Sequence, residues 1–301
     1  GNLGTISGGE VAADPDPNES GRVYLIGANG NNWDLDMRMA LPTVVTAGIG
    51  VATRFWIGSL PSTDNNRPSL IQFQDGSGNI EVYIRVEQNG SLQVIGRVLG
   101  TLTVVADTVN PVVTTNAWNH FEFTFDDSAG TGVVYLNGVQ ILSYTGVDTG
   151  NQIELVNMSR RNGSDTGPSV YVKDFVVWDS TGSQNNTLAG TVVVRTLLPD
   201  GDQTLGGWTT STGLTGFDLI NETSPNDSDY IQAGDPPPAA SEFTLEDLPP
   251  DITSVRAVLP VVRARKTDGG DGRIQSAVTA DGVNYDSGAD RPVTTAFTYY
   301  F

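Results

Sequence analysis

The stretch that most limits the fold is Asn116 to Tyr144, NAWNHFEFTFDDSAGTGVVYLNGVQILSY. Phe121, Phe123 and Phe125 alternate with Glu122 and Thr124, which predicts a short strand with one apolar face and one wet face. A polar, glycine-bearing turn follows. Asn137-Gly138 then separates two apolar runs, Val133 to Leu136 and Val139 to Tyr144. Both turn residues tolerate φ > 0, so a two-residue hairpin of type I′ is expected. That turn pairs Leu136 with Val139 and Val134 with Ile141. These four should share the core face while Tyr135 and Gln140 look outward.

Trp118, the aromatic strand, the Asp126-Asp127 turn and the aliphatic-Tyr-aliphatic-Asn-Gly hairpin resemble the middle of a laminin G-like domain, a member of the concanavalin A-like jelly rolls. Arg54-Phe55-Trp56-Ile57 and Leu70-Ile71-Gln72-Phe73 followed by Asp75-Gly76-Ser77-Gly78 are similar to that family's early strands. Tyr171 to Trp178, YVKDFVVW, is similar to its closing strand. The resemblance covers about residues 21–180. It implies an all-β sandwich but no chemistry, because lectins, hydrolases, adhesion modules and virion proteins share this fold.

The remaining strand signals recur at short intervals: Arg22 to Ile26, Val51 to Ile57, Ile80 to Val86, Leu92 to Val98, Leu102 to Ala106 and Gln152 to Met158. Many short strands separated by turns argue for a sandwich. In the clearest alternation, Ile80, Val82, Ile84 and Val86 face the core and leave Glu81, Tyr83, Arg85 and Glu87 on a solvated face. A solvent-facing Tyr83 beside Arg85 is a candidate ligand surface, although alternating charges on such a face commonly serve only hydration. Residues 1–20 read as an extended arm, and the polar run 181–190, STGSQNNTLAG from Ser180, reads as a linker.

A smaller β-domain is expected over 191–301. Its strand candidates are Thr191 to Leu198, Asp218 to Asn221 and Ile252 to Lys266; Ser241 to Leu248 carries a one-turn helical hint that Pro249-Pro250 stops. Asp200 to Asp251 contains eleven acids and no Lys or Arg, whereas Arg256, Arg263, Arg265, Lys266 and Arg273 follow closely. The two blocks should neutralise each other. LLPDGD, NDSDYI, the Phe243 to Pro249 run, VRAVLPVVRARK and a Gly-rich turn resemble a module of tailed-bacteriophage structural proteins. The chain stops at Thr298-Tyr299-Tyr300-Phe301, inside a strand-like run. That resemblance implies either further strand sequence beyond it or a partner that closes the sheet.

Thirty-five acidic against sixteen basic residues leave a net charge of −19, which repels phosphate backbones and anionic lipid, so neither nucleic acid nor membrane is an expected partner. No run is apolar and long enough for a membrane span. Without cysteine there is no disulfide, thiol nucleophile or thiolate metal site. His120 is the only histidine, so every Ser-His-Asp or imidazole-metal arrangement would have to use it. The Glu-x-Asp-x-Glu run of sandwich glucanases is absent. The nearest same-face acid pair, Asp34 and Asp36 beside Trp33, lacks Glu.

The resemblance of residues 191–301 implies a non-enzymatic virion structural protein of a tailed phage, a decoration, fibre or tail-associated component that displays a lectin-like sandwich. A secreted carbohydrate-binding lectin and, behind it, a glycoside hydrolase are the alternatives. Expected partners are other virion proteins, further copies of the chain and cell-surface glycans; the expected location is the virion or, for the lectin, outside the cell. Ligand-contacting candidates are Tyr83 and Arg85, Asn66 and Arg67 in the Asp64 loop, and Arg160 and Arg161. No catalytic residue, cofactor or metal ligand is assigned. A rim calcium ion at Asp64-Asn65-Asn66 or Asp126-Asp127 is the one open alternative, set against their reading as ordinary turns.

Overall fold

The computed structural model describes residues 10–13, 15–16, 22–26, 37–150, 152–160, 168–180, 188–222, 226–234, 239–250, 252–280, 283–286 and 290–300. Two compact units make up the chain, Gly1–Val194 and Arg195–Phe301. Both are β structures, without an α-helix among the described residues.

Among its described residues the first unit has thirteen strands: β1 (Glu10–Ala13), β2 (Arg22–Ile26), β3 (Met37–Val45), β4 (Gly48–Ile57), β5 (Pro68–Gln74), β6 (Ile80–Val86) and β7 (Leu92–Val98) come first. They continue with β8 (Thr101–Asp107), β9 (Trp118–Asp126), β10 (Gly132–Leu136), β11 (Val139–Tyr144), β12 (Ile153–Arg160) and β13 (Val170–Asp179). Antiparallel pairing arranges them as a seven-stranded sheet, β1-β2-β13-β4-β9-β10-β11, and a six-stranded sheet, β3-β12-β5-β6-β7-β8. This is a concanavalin A-like jelly-roll sandwich. The inner faces meet through Phe55, Phe121, Phe123 and Phe125 from one sheet and Ile71, Phe73, Val82 and Ile84 from the other, all with no exposed surface. Phe73 stacks on Phe123 at a centroid distance of 5.0 Å, and Phe55 meets Phe121 edge-on. Each such ring contributes about 1.5–3 kcal/mol by burial.

The Asn137-Gly138 turn has φ of 52° and 79°, the type I′ geometry read from the sequence. Leu136 pairs with Val139 as expected, but an irregularity between Val134 and Tyr135 slides the next partner, so Val134 meets Leu142 instead of Ile141. A bulge changes register after the turn has set it. Val139, next to the turn, stands 64% exposed instead of joining the core face, whereas Val134 and Leu136 are buried. Tyr135 and Gln140 do look outward, and the Tyr135 hydroxyl donates to Gln140 Oε1 at 3.0 Å.

Two faces expected to be wet are not. Glu122 is 2% exposed, and on β6 Tyr83 is 3% exposed with Glu81 at 2%. Alternation fixes which side of a sheet a residue occupies, but not what lies over that side. β1 and β3 had no prediction of their own: β1 falls in the segment read as an arm, and β3 carries Pro42 near the sheet edge.

Among its described residues the second unit pairs strands two at a time, for example Pro199–Thr204 with Glu242–Leu245 and Val262–Ala264 with Thr298–Tyr300. Thr191 to Leu198 forms no strand. Of Ile252 to Lys266 only Val262–Ala264 does, and Phe217–Leu219 is a 3-10 turn where a strand was expected. The one-turn helical hint at Ser241 to Leu248 is likewise overturned, since Glu242–Leu245 is extended and paired, so pairing outweighs a two-leucine spacing. Leu219 and Val293 are its buried apolar residues among those described. Opposite charges do meet there, with Arg263 at 2.7 Å from Asp227.

Candidate functional site

Register places the outward residues of the six-stranded sheet in rows. Asn157 on β12 lies opposite Gln72 on β5, Gln72 opposite Tyr83 on β6, and Tyr83 opposite Ile95 on β7. One row along, Ser69, Arg85, Gln93 and Asp107 align across β5 to β8. Asn157, Gln72 and Tyr83 are almost fully buried and form a floor, while Arg85, Gln93 and Asp107 are half-buried and form a margin.

The floor is an amide-phenol surface. Gln74 Nε2 donates to Gln72 Oε1 at 2.8 Å, and Asn157 Oδ1 is buried with no hydrogen-bond partner among the described residues. The margin is a charge-balanced network. Arg85 donates to Glu87 Oε1 at 2.7 Å and to Gln93 Oε1, and Gln93 Nε2 donates to Asp107 Oδ2 at 2.7 Å. Arg67 reaches the other Glu87 oxygen at 2.9 Å and also pairs with Asp64. Arg97 pairs with Glu81 at 3.1 Å; burial lifts the Glu81 carboxyl above its ordinary range, and Arg97 opposes that shift.

The sheet thus brings Tyr83, Arg85 and Arg67 together, although Tyr83 is covered and is no exposed stacking platform. Asn66 serves the turn: its Oδ1 accepts the Thr63 N–H at 3.0 Å and its Nδ2 donates to Ser62. Arg160 ends β12 opposite Pro68, away from this group in register. Arg161, Asp34, Asp36 and Trp33 lie outside the described residues. Asn157 and Gln93 escaped the sequence reading, since isolated amides on strands carry no motif; only the period-2 phase of Gln72 hints at them.

The two oxygen-rich loops are spent on turns. Asp126 Oδ1 accepts from the Ser128 N–H, the Ser128 hydroxyl and the Ala129 N–H, and Asp64 Oδ1 accepts from Gln88 Nε2 at 2.6 Å. Among the described residues no three His, Cys, Asp or Glu side chains group as a metal site would require.

On the opposite side, the seven-stranded sheet presents Trp118, His120 and Glu122 at successive outward positions of β9. Register sets Trp56 beside Trp118, Arg54 beside His120 and Ala52 beside Glu122. Lys173 Nζ lies 4.0 Å from the Trp118 ring centroid, and the two indoles meet edge-on at 5.9 Å. Burial raises the Glu122 carboxyl, opposed by the backbone N–H groups of Gly190 and Ala189. Burial and then the Arg54 charge push His120 below its ordinary value. Asp174 sits in a bulge of β13 at φ 55° and pairs with Arg54 at 3.5 Å.

Sandwich topology, sheet order and the Trp118 to Tyr144 hairpin define a concanavalin A-like lectin or glucanase fold. Residues 36–186, half of the chain, match the Laminin_G_3 family model, described as the concanavalin A-like lectin/glucanases superfamily, and the chain belongs to that superfamily. No curated protein matches the sequence. Among solved structures it is similar to the binding domain of paraclostridial mosquitocidal protein 1, at 14% identity over 59% of this chain and 44% of that one, TM-score 0.43. It is also similar to the carbohydrate-binding module CBM66 from Bacillus subtilis, at 10% identity over 59% of this chain and 98% of that one, TM-score 0.39. A third is an endo-β-1,4-glucuronan lyase from the fungus Trichoderma reesei, at 10% identity over 58% of this chain and 90% of that one, TM-score 0.43. The chain spans less than half the length of the first of these.

Proposed function

We propose that the chain is a non-catalytic glycan-binding protein whose sandwich holds a neutral oligosaccharide along the outward face of the six-stranded sheet. The observation that carries this reading is the aligned row Asn157, Gln72 and Tyr83, with the Asn157 Oδ1 acceptor unmet. Adjacent strands are about 4.8 Å apart, so the row spans about 10 Å, and its amides and phenol both donate and accept, as sugar hydroxyls do. Neutrality follows from the margin. Arg67, Arg85 and Arg97 are each engaged by Asp64, Glu87 or Glu81, which leaves no net cationic clamp for a uronic or sialic acid.

Binding rather than hydrolysis is favoured because Glu81 and Glu87 on this face are held by arginine and Asp107 is engaged by Gln93, whereas a proton donor or nucleophile has to be available to the glycosidic oxygen or carbon. A wet, shallow sugar site is weak as a single copy, so the second unit is proposed to multiply it through homo-oligomer formation. Val255, Val258, Leu259 and Val261, about half exposed, are the apolar residues suited to that contact. The finer reading, a virion component of a tailed phage that displays the sandwich to cell-surface glycans, rests on the motif resemblance of residues 191–301.

A glycan array probed with the full-length chain, followed by titration calorimetry, tests the site. Gln93→Ala and Asn157→Ala are expected to weaken the retained neutral glycan at least about tenfold with the fold intact, a loss of about 1.4 kcal/mol or more. Binding indifferent to both substitutions, or retention of acidic glycans only, would refute the assignment. Mass spectrometry of purified phage particles tests the virion reading.

A further inference from the structure

Residues 188–194 cross the outward face of the seven-stranded sheet, and four of their backbone donors, at Ala189, Gly190, Val192 and Val194, meet side-chain acceptors. The N–H groups of Ala189 and Gly190 approach the Glu122 carboxylate. Val192 donates to His120 Nε2 at 3.4 Å, and Val194 donates to Asp174 Oδ1 at 2.9 Å. Val192 and Val194 present alternate N–H groups on one side, as an extended stretch does, here seated on side chains instead of a strand edge. Asp174 has a left-handed backbone at φ 55°, which Asp adopts more readily than most residues, and its carboxylate meets both Arg54 and the Val194 N–H.

Beneath this strap the sheet asks for more than the strap supplies. Trp118 Nε1, His120 Nδ1 and Glu122 Oε2 are all buried with no hydrogen-bond partner among the described residues. They stand at three consecutive outward positions of β9, about 13 Å from end to end. Unmet buried polar atoms are rare, and three in one line mark a surface shaped for partners from elsewhere. The indole needs an acceptor and Glu122 Oε2 needs a donor, and the strap as it lies meets neither, its Val192 and Val194 N–H groups being given to His120 Nε2 and Asp174 Oδ1. Hydroxyl groups can meet both.

We propose that the outward row Trp118, His120 and Glu122 is a second ligand site, for a polyhydroxylated molecule, and that residues 188–194 are its built-in competitor. The ligand displaces the strap, its hydroxyls donating to Glu122 and accepting from Trp118, while the freed strap is the segment that leads directly into the second unit. This site lies on the sheet opposite the Asn157 row and does not depend on that row binding anything.

The test uses the full-length chain with Tyr83→Ala, which disables the first site, on an array of neutral oligosaccharides of glucose, galactose, mannose and N-acetylglucosamine. Val192→Pro with Val194→Pro removes two strap donors from extended positions and leaves the sheet untouched. Losing two hydrogen bonds of the competitor should tighten the strongest array ligand about tenfold, and adding Glu122→Ala should abolish the gain. No gain on any spot, or a gain that survives Glu122→Ala, overturns the proposal. Hydrogen exchange supplies a check independent of the proline variants. Amides 189–194 should exchange faster when the strongest array ligand is bound to the Tyr83→Ala chain, and unchanged protection under saturation would be equally fatal. Loss of the Tyr83-dependent signal alone bears only on the six-stranded face.

Discussion

At the scale of single residues, two glycines separate backbone strain from steric contact. Gly138 has φ 79° with open space around the position of a Cβ, so Gly138→Ala adds only left-handed strain, about 1–2 kcal/mol. A Cβ on Gly132 would instead lie 2.1 Å from the Thr124 carbonyl oxygen and 2.2 Å from the Tyr144 hydroxyl. Gly132→Ala should therefore cost more than Gly138→Ala, in the upper part of the range of about 1–3 kcal/mol for overpacking. Urea midpoints of the two variants in parallel provide the measurement, and an inverted order would show the β10 approach to be misjudged. Leu99 offers the reverse experiment. It is 93% exposed at φ 50° in the turn between β7 and β8, where the Asp148 carboxylate accepts the Leu99 and Gly100 N–H groups. Leu99→Asn keeps those bonds, loses no packing and suits the left-handed region, so thermal denaturation should show a gain of about 0.5–1 kcal/mol.

At the scale of elements, β9 couples to pH through two neighbours of opposite sign. His120, depressed from 6.5 by burial and by Arg54, with Lys173 and Asp174 close by on β13, binds fewer protons folded than unfolded. Its contribution is fully present above about pH 6.5 and is lost as the pH falls below that. Glu122, raised from 4.5, behaves in the opposite sense: its contribution is complete below about pH 4.5 and is lost as the pH rises through the elevated value. His120→Gln should flatten the acid side of the stability profile, and Glu122→Gln should raise stability most at neutral pH. Denaturant midpoints from about pH 4 to about pH 8 measure both, and a Glu122→Gln variant less stable at pH 7 than at pH 4, relative to the parent, would contradict the burial argument.

For the whole molecule, the two units differ in how much apolar surface they remove from water. The sandwich buries a continuous aromatic and aliphatic core, whereas the second unit buries Leu219 and Val293 among its described residues and leaves Val255, Val258, Leu259 and Val261 half exposed. Calorimetry should therefore show two transitions, the sandwich melting higher. The lower one should rise with protein concentration if the second unit is completed by further copies, since association stabilises by mass action. A concentration-independent lower transition would argue against the oligomer.

Period-2 alternation and the Asn137-Gly138 turn were enough, without any structure, to place most strands of the sandwich, its Phe121, Phe123 and Phe125 core and the type I′ hairpin. Those features depend on contacts within or between chain neighbours, which the order of residues records directly. The second unit was poorly legible for the converse reason: Ile252 to Lys266 has strand-forming side chains, yet few partners within the unit to pair with. Neither candidate site was readable as a site. The Asn157, Gln72 and Tyr83 row exists only because β12, β5 and β6 lie side by side in one register, though 85 residues of sequence separate Gln72 from its partner Asn157. Likewise Glu122 has the sequence of a solvent-facing strand residue, and the tertiary structure alone buries it, by laying residues 189–194 across β9. Alternation determines the side of the sheet to which a residue belongs; what covers that side is settled by distant segments, and with it the charge state and the chemistry.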